Sequence, residues 1–248
     1  MKVNLALSGG AVRGVAHIGV IKALEELGLQ VAKVSGVSAG ALVGAFYCDG
    51  YTPQEMLKVV KSRDWLRYLK PVVPRLGLIS LEGAEKYLRK MLSAENFEEL
   101  PKKLTVGAED IKSGSTLFFD RGYLLLPLLG SCALPGIFEP IKYKHYLLVD
   151  GGITNNLPVE PLLGEEGLLV GVDVNPNTPL EKVGNIFQIL MRSFLLSVRS
   201  NVDKRRELCH VVIEPDLQGY TPLSLLRVEE IYRLGYEKTI SLMKPYAR

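Results

Sequence analysis

The chain is poor in the residues that would tie it to several common functions. Its three cysteines, Cys48, Cys132 and Cys209, are odd in number and far apart, with no C-x-x-C pair and no histidine at metal-ligand spacing. That excludes a disulfide framework and a zinc site as expectations, and points to a reducing compartment. Charge of one sign is also missing: 30 Lys+Arg against 27 Asp+Glu leave +3, too balanced to indicate nucleic acid. No apolar run is long enough for a membrane span of about 20 residues. Tyr123 to Leu129 is broken by Pro127, and Ile186 to Val198 by Arg192. The opening stretch Met1 to Leu7 is interrupted by Asn4 and followed by Gly9, Gly10 and Arg13, so it reads as a buried strand rather than a signal-peptide core. A cytoplasmic protein without metal or cofactor is expected.

What is present is ordinary globular material: 248 residues, 47% apolar and 23% charged. A chain of this length buries roughly 70–75% of its unfolded surface and needs no staple. Without repeat, linker or low-complexity tract, it is expected to form one domain over residues 1–248.

Apolar periodicity alternates between strand and helix along the chain. Strands are expected at Val3–Leu7, Val31–Val34, Leu104–Ala108, Ser115–Phe119, Leu147–Val149, Leu168–Val172 and Val211–Ile213, with the third and fourth paired across an Ile-Lys-Ser-Gly turn. Helices are expected at Gly14–Leu27, Ala39–Cys48, from Thr52, at Ile186–Val202 and at Val228–Met243. Thr52-Pro53-Gln54-Glu55 is a complete helix start, with a hydroxyl cap, proline first and glutamate third. Ile186 to Val202 carries apolar residues at 186, 190, 194, 198 and 202, the spacing of a core helix. This alternation predicts a three-layer α/β/α fold around a mostly parallel central sheet.

Chemistry concentrates in three places. Gly36-Val37-Ser38-Ala39-Gly40 lies between a strand and a helix. There G-x-S-x-G is a nucleophile elbow, in which Gly36 and Gly40 let the chain turn sharply and expose the serine hydroxyl near a helix N-terminus. The plain alternative is a Gly/Ser-rich turn. Ser8-Gly9-Gly10-Ala11-Val12-Arg13-Gly14 follows the first strand. As a phosphate-binding P-loop it fails, because Val15 and Ala16 stand where lysine and a hydroxyl are needed. As a dinucleotide fingerprint it lacks its middle glycine, replaced by Ala11, and its acidic ribose partner. Two readings remain, an oxyanion hole of backbone N–H groups or a turn that lets strand and helix pack closely. Third, Asp150-Gly151-Gly152 directly follows an apolar strand, where α/β proteins place their active sites, although Asp-Gly is also a common turn. The three histidines, His17, His145 and His210, are better read as structural than as bases.

Together these blocks, in this order, resemble the patatin-like phospholipase family: Leu7 to Gly14 with His17 to Val20, Gly36 to Gly40, Ser131-Cys132-Ala133-Leu134-Pro135-Gly136-Ile137-Phe138-Glu139-Pro140, and Asp150-Gly151-Gly152 with Asn155 to Pro158. They span about residues 3 to 175. The resemblance implies a patatin-like fold and a lipid acyl hydrolase acting on phospholipid, lysophospholipid or acylglycerol esters. It implies a Ser38–Asp150 dyad without histidine, an oxyanion hole from Gly9, Gly10, Ala11 and Ala39, and an anchoring role for Arg13. Gly14, Gly36, Gly40, Gly151, Gly152 and Pro135 would support these motifs. One departure stands out: the family has glycine where this chain has Ala11, which still offers an N–H. Two other readings stay open. One is an α/β-hydrolase triad of Ser38, Asp150 or Asp173, and His210; the other is a non-catalytic lipid-binding protein of the same fold.

The segment Lys58 to Leu76 sets six cations, Lys58, Lys61, Arg63, Arg67, Lys70 and Arg75, against Asp64, with Trp65 and Tyr68 among them. It is expected either to touch an anionic membrane surface through Trp65, Arg67, Tyr68 and Lys70, at the inner face of the membrane, or to be a solvated helix face followed by a Pro-rich loop.

Overall fold

The computed structural model describes residues 1–73, 75–175, 184, 186–221 and 224–247. Pro74 and the side chains at 190 and 194 lie outside the described residues. In chain order the elements are β1 (Lys2–Leu7), α1 (Val15–Glu26), β2 (Gln30–Val37), α2 (Ala39–Cys48), α3 (Pro53–Ser62), β3 (Lys70–Pro71), β4 (Ile79–Ser80) and α4 (Glu82–Met91). Then follow β5 (Lys103–Asp110), β6 (Ser115–Phe119), α5 (Leu125–Ser131), β7 (Ile141–Tyr143), β8 (Tyr146–Asp150), β9 (Leu168–Val172), α6 (Ile186–Arg206), β10 (Val211–Ile213) and α7 (Val228–Met243).

The main sheet runs β10-β9-β1-β2-β5-β8-β7, with β6 also on β5. The first five strands of that order are parallel, whereas β6 and β8 meet β5 antiparallel and β7 meets β8 antiparallel. The sheet is therefore mixed but mostly parallel, as expected. Central β1 is buried on both faces, which its near-continuous apolar sequence requires. Val3, Leu5 and Leu7 point into the larger core with α1, α2 and α7, and Ala6 points into a smaller one with Leu157, Leu162 and Val202 of α6. These two cores lie on opposite faces of the sheet.

Close packing on the larger side rests on a pair of glycines. A Cβ at Gly19 of α1 would lie 2.0 Å from the Tyr232 carbonyl oxygen, and one at Gly235 of α7 would lie 2.2 Å from that of Ala16. At the start of α3, Thr52 and Glu55 form the expected reciprocal cap, with the Thr52 N–H donating to Glu55 Oε2 at 2.8 Å. Because the parallel strands are in step, Leu7 faces Gly36 on one side and Val172 on the other. The segments after β1, β2 and β9 therefore emerge together at one edge. Among the described residues, no helix is long and apolar enough to cross a membrane.

Candidate active site

Ser38 sits between β2 and α2 with φ 52° and ψ −124°. A side chain in that left-handed region costs of order 1–3 kcal/mol and persists only where the surroundings enforce it. They do so here. The Ser38 N–H donates to Ser131 Oγ at 2.8 Å, and Ser131 Oγ in turn donates to the Gly107 carbonyl at 2.5 Å. Beneath the elbow, a Cβ at Gly40 would lie 2.3 Å from the Leu7 carbonyl oxygen and 2.6 Å from that of Ser8, so only glycine lets α2 start this close to β1. Gly36 packs on Gly40, and Gly14 on Ala39.

The Gly-rich loop lies against the elbow: a Cβ at Gly9 would be 3.0 Å from Ser38 Cβ. The N–H groups of Gly9, Gly10 and Ala11 donate to no described residue. Ala39 opens α2, so its N–H is one of the helix's unpaired first-turn donors. With the Ser38 N–H engaged by Ser131, these are the donors left to face an anion. Ala11 has φ 49°. The glycine that the resemblance implies at this position would suit that conformation, and alanine there costs roughly 1 kcal/mol.

Asp150 ends β8, and its side chain is buried. The register explains its place. Val37 stands opposite Gly107 and Asp150 opposite Ala108, consecutive residues of β5, so the ends of β2 and β8 meet. The Gly152 N–H donates to Asp150 Oδ1 at 2.9 Å, and the Ser38 side chain lies near enough to the same carboxylate to favour its charged form. Burial nonetheless raises its pKa from 3.8 to about 6, against the opposing pull of the Ser38 side chain and the Gly152 N–H. The carboxylate is thus charged at neutral pH and basic enough to take a proton. Cys132, alongside, stays a thiol, since burial and then the Asp150 charge push its pKa up. Gly151 packs on the β5 backbone at Gly107, and Gly152 lies against Asn156. Pro135 is exposed in the turn after α5.

None of the histidines reaches Ser38 as a base. His17 is buried in α1, where its Nε2 donates to the Ser8 carbonyl at 2.8 Å, and burial lowers its pKa to about 4. His210 Nδ1 accepts the N–H of Leu169, a residue opposite Asn4 near the starts of β9 and β1 and so at the far edge of the sheet. His145 is exposed in the turn between β7 and β8. Asp173, the other acid considered for a triad, is buried and ion-paired with Arg206 at 3.3 Å and Arg199 at 3.5 Å. Among the described residues, no three His, Cys, Asp or Glu side chains converge as a metal site would require.

Residues 5–163 match the patatin-like phospholipase family. The chain belongs to that family. An uncharacterised NTE family protein of Mycobacterium tuberculosis is 35% identical over 177 residues, covering 70% of this chain and 49% of that protein. Lysophospholipase NTE1 of Meyerozyma guilliermondii is 24% identical over 267 residues, covering 94% of this chain and 19% of that protein. The chain thus spans about half the length of the first relative and a fifth of the second. Among solved structures, VipD from Legionella pneumophila shares the fold, with a TM-score of 0.53 at 17% identity over 98% of this chain and 66% of that one.

Several residues of this family member's site escaped the motifs. Ser131 stands within the Ser131–Pro140 block, yet nothing local marks its hydroxyl as the one that holds the elbow. Asn201 of α6 binds the turn after Asp150, donating to the Gly152 and Ile153 carbonyls at 3.0 and 3.1 Å and accepting the Asn156 N–H at 2.8 Å. No local signal marks it, because its partners are remote in sequence.

The buried Asp150 charge yields a prediction about stability. Its folded pKa is raised, so the folded state binds this proton more tightly than the unfolded chain does. The charge therefore subtracts stability progressively as pH climbs from about 4 to above 6. A shift of roughly two units corresponds to about 3 kcal/mol. Asp150→Asn should thus be more stable than the parent at pH 8, by up to that amount, and close to it at pH 4. Urea unfolding at both pH values measures this, and an unchanged difference between parent and variant across them contradicts it.

Proposed function

We propose that this chain hydrolyses carboxylic ester bonds of lipids, with Ser38 as nucleophile and Asp150 as the only general base. The observation that carries the reading is the strand register that sets the elbow serine beside a buried carboxylate, whose pKa burial raises to about 6. Asp150 takes the Ser38 proton as Oγ attacks the ester carbonyl carbon. Negative charge moves to the carbonyl oxygen, which faces N–H groups drawn from Gly9, Gly10, Ala11 and Ala39. Collapse breaks the bond to the alcohol, which leaves with the proton from Asp150, and an acyl-Ser38 ester remains. Asp150 then deprotonates a water that attacks this ester, and the fatty acid departs as the proton returns to Ser38. Family membership and the lysophospholipase relative support a phospholipid, lysophospholipid or acylglycerol ester as substrate. A fluorophosphonate probe should label Ser38 stoichiometrically, and Ser38→Ala should lose at least about a thousandfold in esterase kcat with the fold intact. Labelling elsewhere, or full activity in the variant, contradicts the assignment.

We also propose that the protein meets its substrate at an anionic membrane surface, through a patch that differs in detail from the sequence expectation. Trp65 and Tyr68 are half-buried, Tyr68 against Tyr87 with ring centroids 5.1 Å apart. Lys61 pairs with Glu229, and Arg67 with Asp64 at 3.7 Å. What faces outward is Val73 (80% exposed), Leu76 (62%) and Leu78 (46%), beside exposed Lys70 and Arg75. This loop is seated on the segment that follows the elbow's support, since the Leu78 and Ile79 N–H groups both donate to the Ile137 carbonyl at 2.9 Å. In co-sedimentation, the parent should bind anionic vesicles better than zwitterionic ones, and less well at high salt. Lys70→Glu/Val73→Ser/Leu76→Ser should bind at least about tenfold more weakly. Equal binding of parent and variant contradicts this contact.

A further inference from the structure

The hydrogen bonds around the Gly-rich loop converge on a side chain that no motif singles out. Asn175, two residues beyond Asp173 at the edge where β9 ends, donates from Nδ2 to the Gly9 carbonyl at 2.6 Å. Its Oδ1 accepts from Arg13 Nη2 at 2.7 Å, and its own N–H donates to Asp173 Oδ1 at 3.0 Å. The amide is buried, and chemistry fixes which way round it sits. A guanidinium only donates, so the oxygen faces Arg13 and the NH2 is left for the carbonyl.

The consequence follows from the planar peptide. The Gly9 C=O and the Gly10 N–H belong to one trans unit and point in opposite directions. Clamping the carbonyl therefore turns the Gly10 N–H to the face away from Asn175, where it donates to no described residue. Flanked by two glycines, this peptide would otherwise turn over at little cost. Asn156 Nδ2 reaches the same carbonyl only at 3.5 Å, a weaker brace. The clamp itself is anchored from behind: Asp173 is held by Arg199 and Arg206 of α6, which also pair with Glu214.

We infer that Asn175 is a positioning residue for the oxyanion site: by holding the Gly9 carbonyl it aims the Gly10 N–H at the oxygen of the attacked ester. The inference rests on the Ser38–Asp150 reading and adds a residue that touches neither substrate nor nucleophile. It also gives Arg13 its task, which is to fix the orientation of the Asn175 amide. A donor held in place stabilises developing charge more than one that must reorganise during the reaction.

The test is Asn175→Asp, which keeps the shape and the oxygen facing Arg13 but replaces the donor with an oxygen facing the Gly9 carbonyl. With a soluble chromogenic ester, kcat should fall about 10- to 100-fold while KM stays within about threefold. A trifluoromethyl ketone, which forms a tetrahedral oxyanion adduct on the serine, should lose affinity by the same factor. A fluorophosphonate should still titrate Ser38 to the parent stoichiometry, which separates misaimed donors from a loss of folded enzyme. Asn175→Ala should behave alike. Unchanged kcat in Asn175→Asp, or a kcat loss without a matching loss of ketone affinity, overturns the inference. If neither variant folds, the parent alone decides: in its NMR spectrum the Gly10 amide proton should move downfield on forming the ketone adduct, and an unmoved resonance overturns the assignment. Failure of Ser38 to titrate in the parent would instead overturn the dyad.

Discussion

Asp150 can face Ser38 because β8 pairs with only the far end of β5. Strand β2 covers β5 as far as Gly107, and β8, running the other way, comes down as far as Ala108. Two strands of opposite direction thus end against each other, and a serine that follows one meets an aspartate that ends the other. A slip of one residue in β8 would turn the carboxylate to the other face of the sheet. Side chains that fix this junction, Ser131 on the elbow and Asn201 on the turn after Asp150, matter for the same reason.

The junction is held at a cost to stability. Ser38 occupies a left-handed conformation, Ala11 another, and Asp150 carries a charge into a buried position. Each costs on the order of 1–3 kcal/mol, a large share of the 5–15 kcal/mol by which domains are stable. The opposing stabilisation comes from the doubly covered strand β1 and from helices that approach through glycine. The strain makes chemical sense, since an exposed serine or a solvated aspartate would be neither aimed nor basic. In the proposed mechanism a carboxylate with pKa near 6 takes the place of a histidine, and the chain's histidines lie at the Ser8 carbonyl, the Leu169 N–H and a surface turn.

Much of this was legible in the sequence because it is local. Strands β6, β9 and β10 and helices α2 and α7 have the bounds that periodicity predicts, and Thr52 caps α3 as its pattern requires. Ser38, Gly9 and Asp150 announce themselves through glycines that a tight turn or a close approach demands. Elements with weak local signals were missed. Helix α4 has Leu81 at its N-cap position and so no side-chain cap, α5 is short and contains Pro127, and β3, β4 and β7 are two or three residues long. The antiparallel direction of β8 was not foreseen, nor was the neighbour order that brings the end of β9 beside the Gly-rich loop. Asn175 and Asn201 depend on that order. Each binds carbonyls that are remote in sequence, and no spacing rule reaches that far.

The central claim is that a buried aspartate, and no histidine, activates Ser38. It is tested most directly by the pH dependence of kcat/KM for a soluble ester, measured between pH 4 and 9 on the parent and on His145→Ala/His210→Ala. Asp150 with a pKa of about 6 predicts a single rise centred near that value in both proteins, at similar plateau rates. Loss of activity in the double variant, or a parent profile that is flat through pH 6, would contradict it.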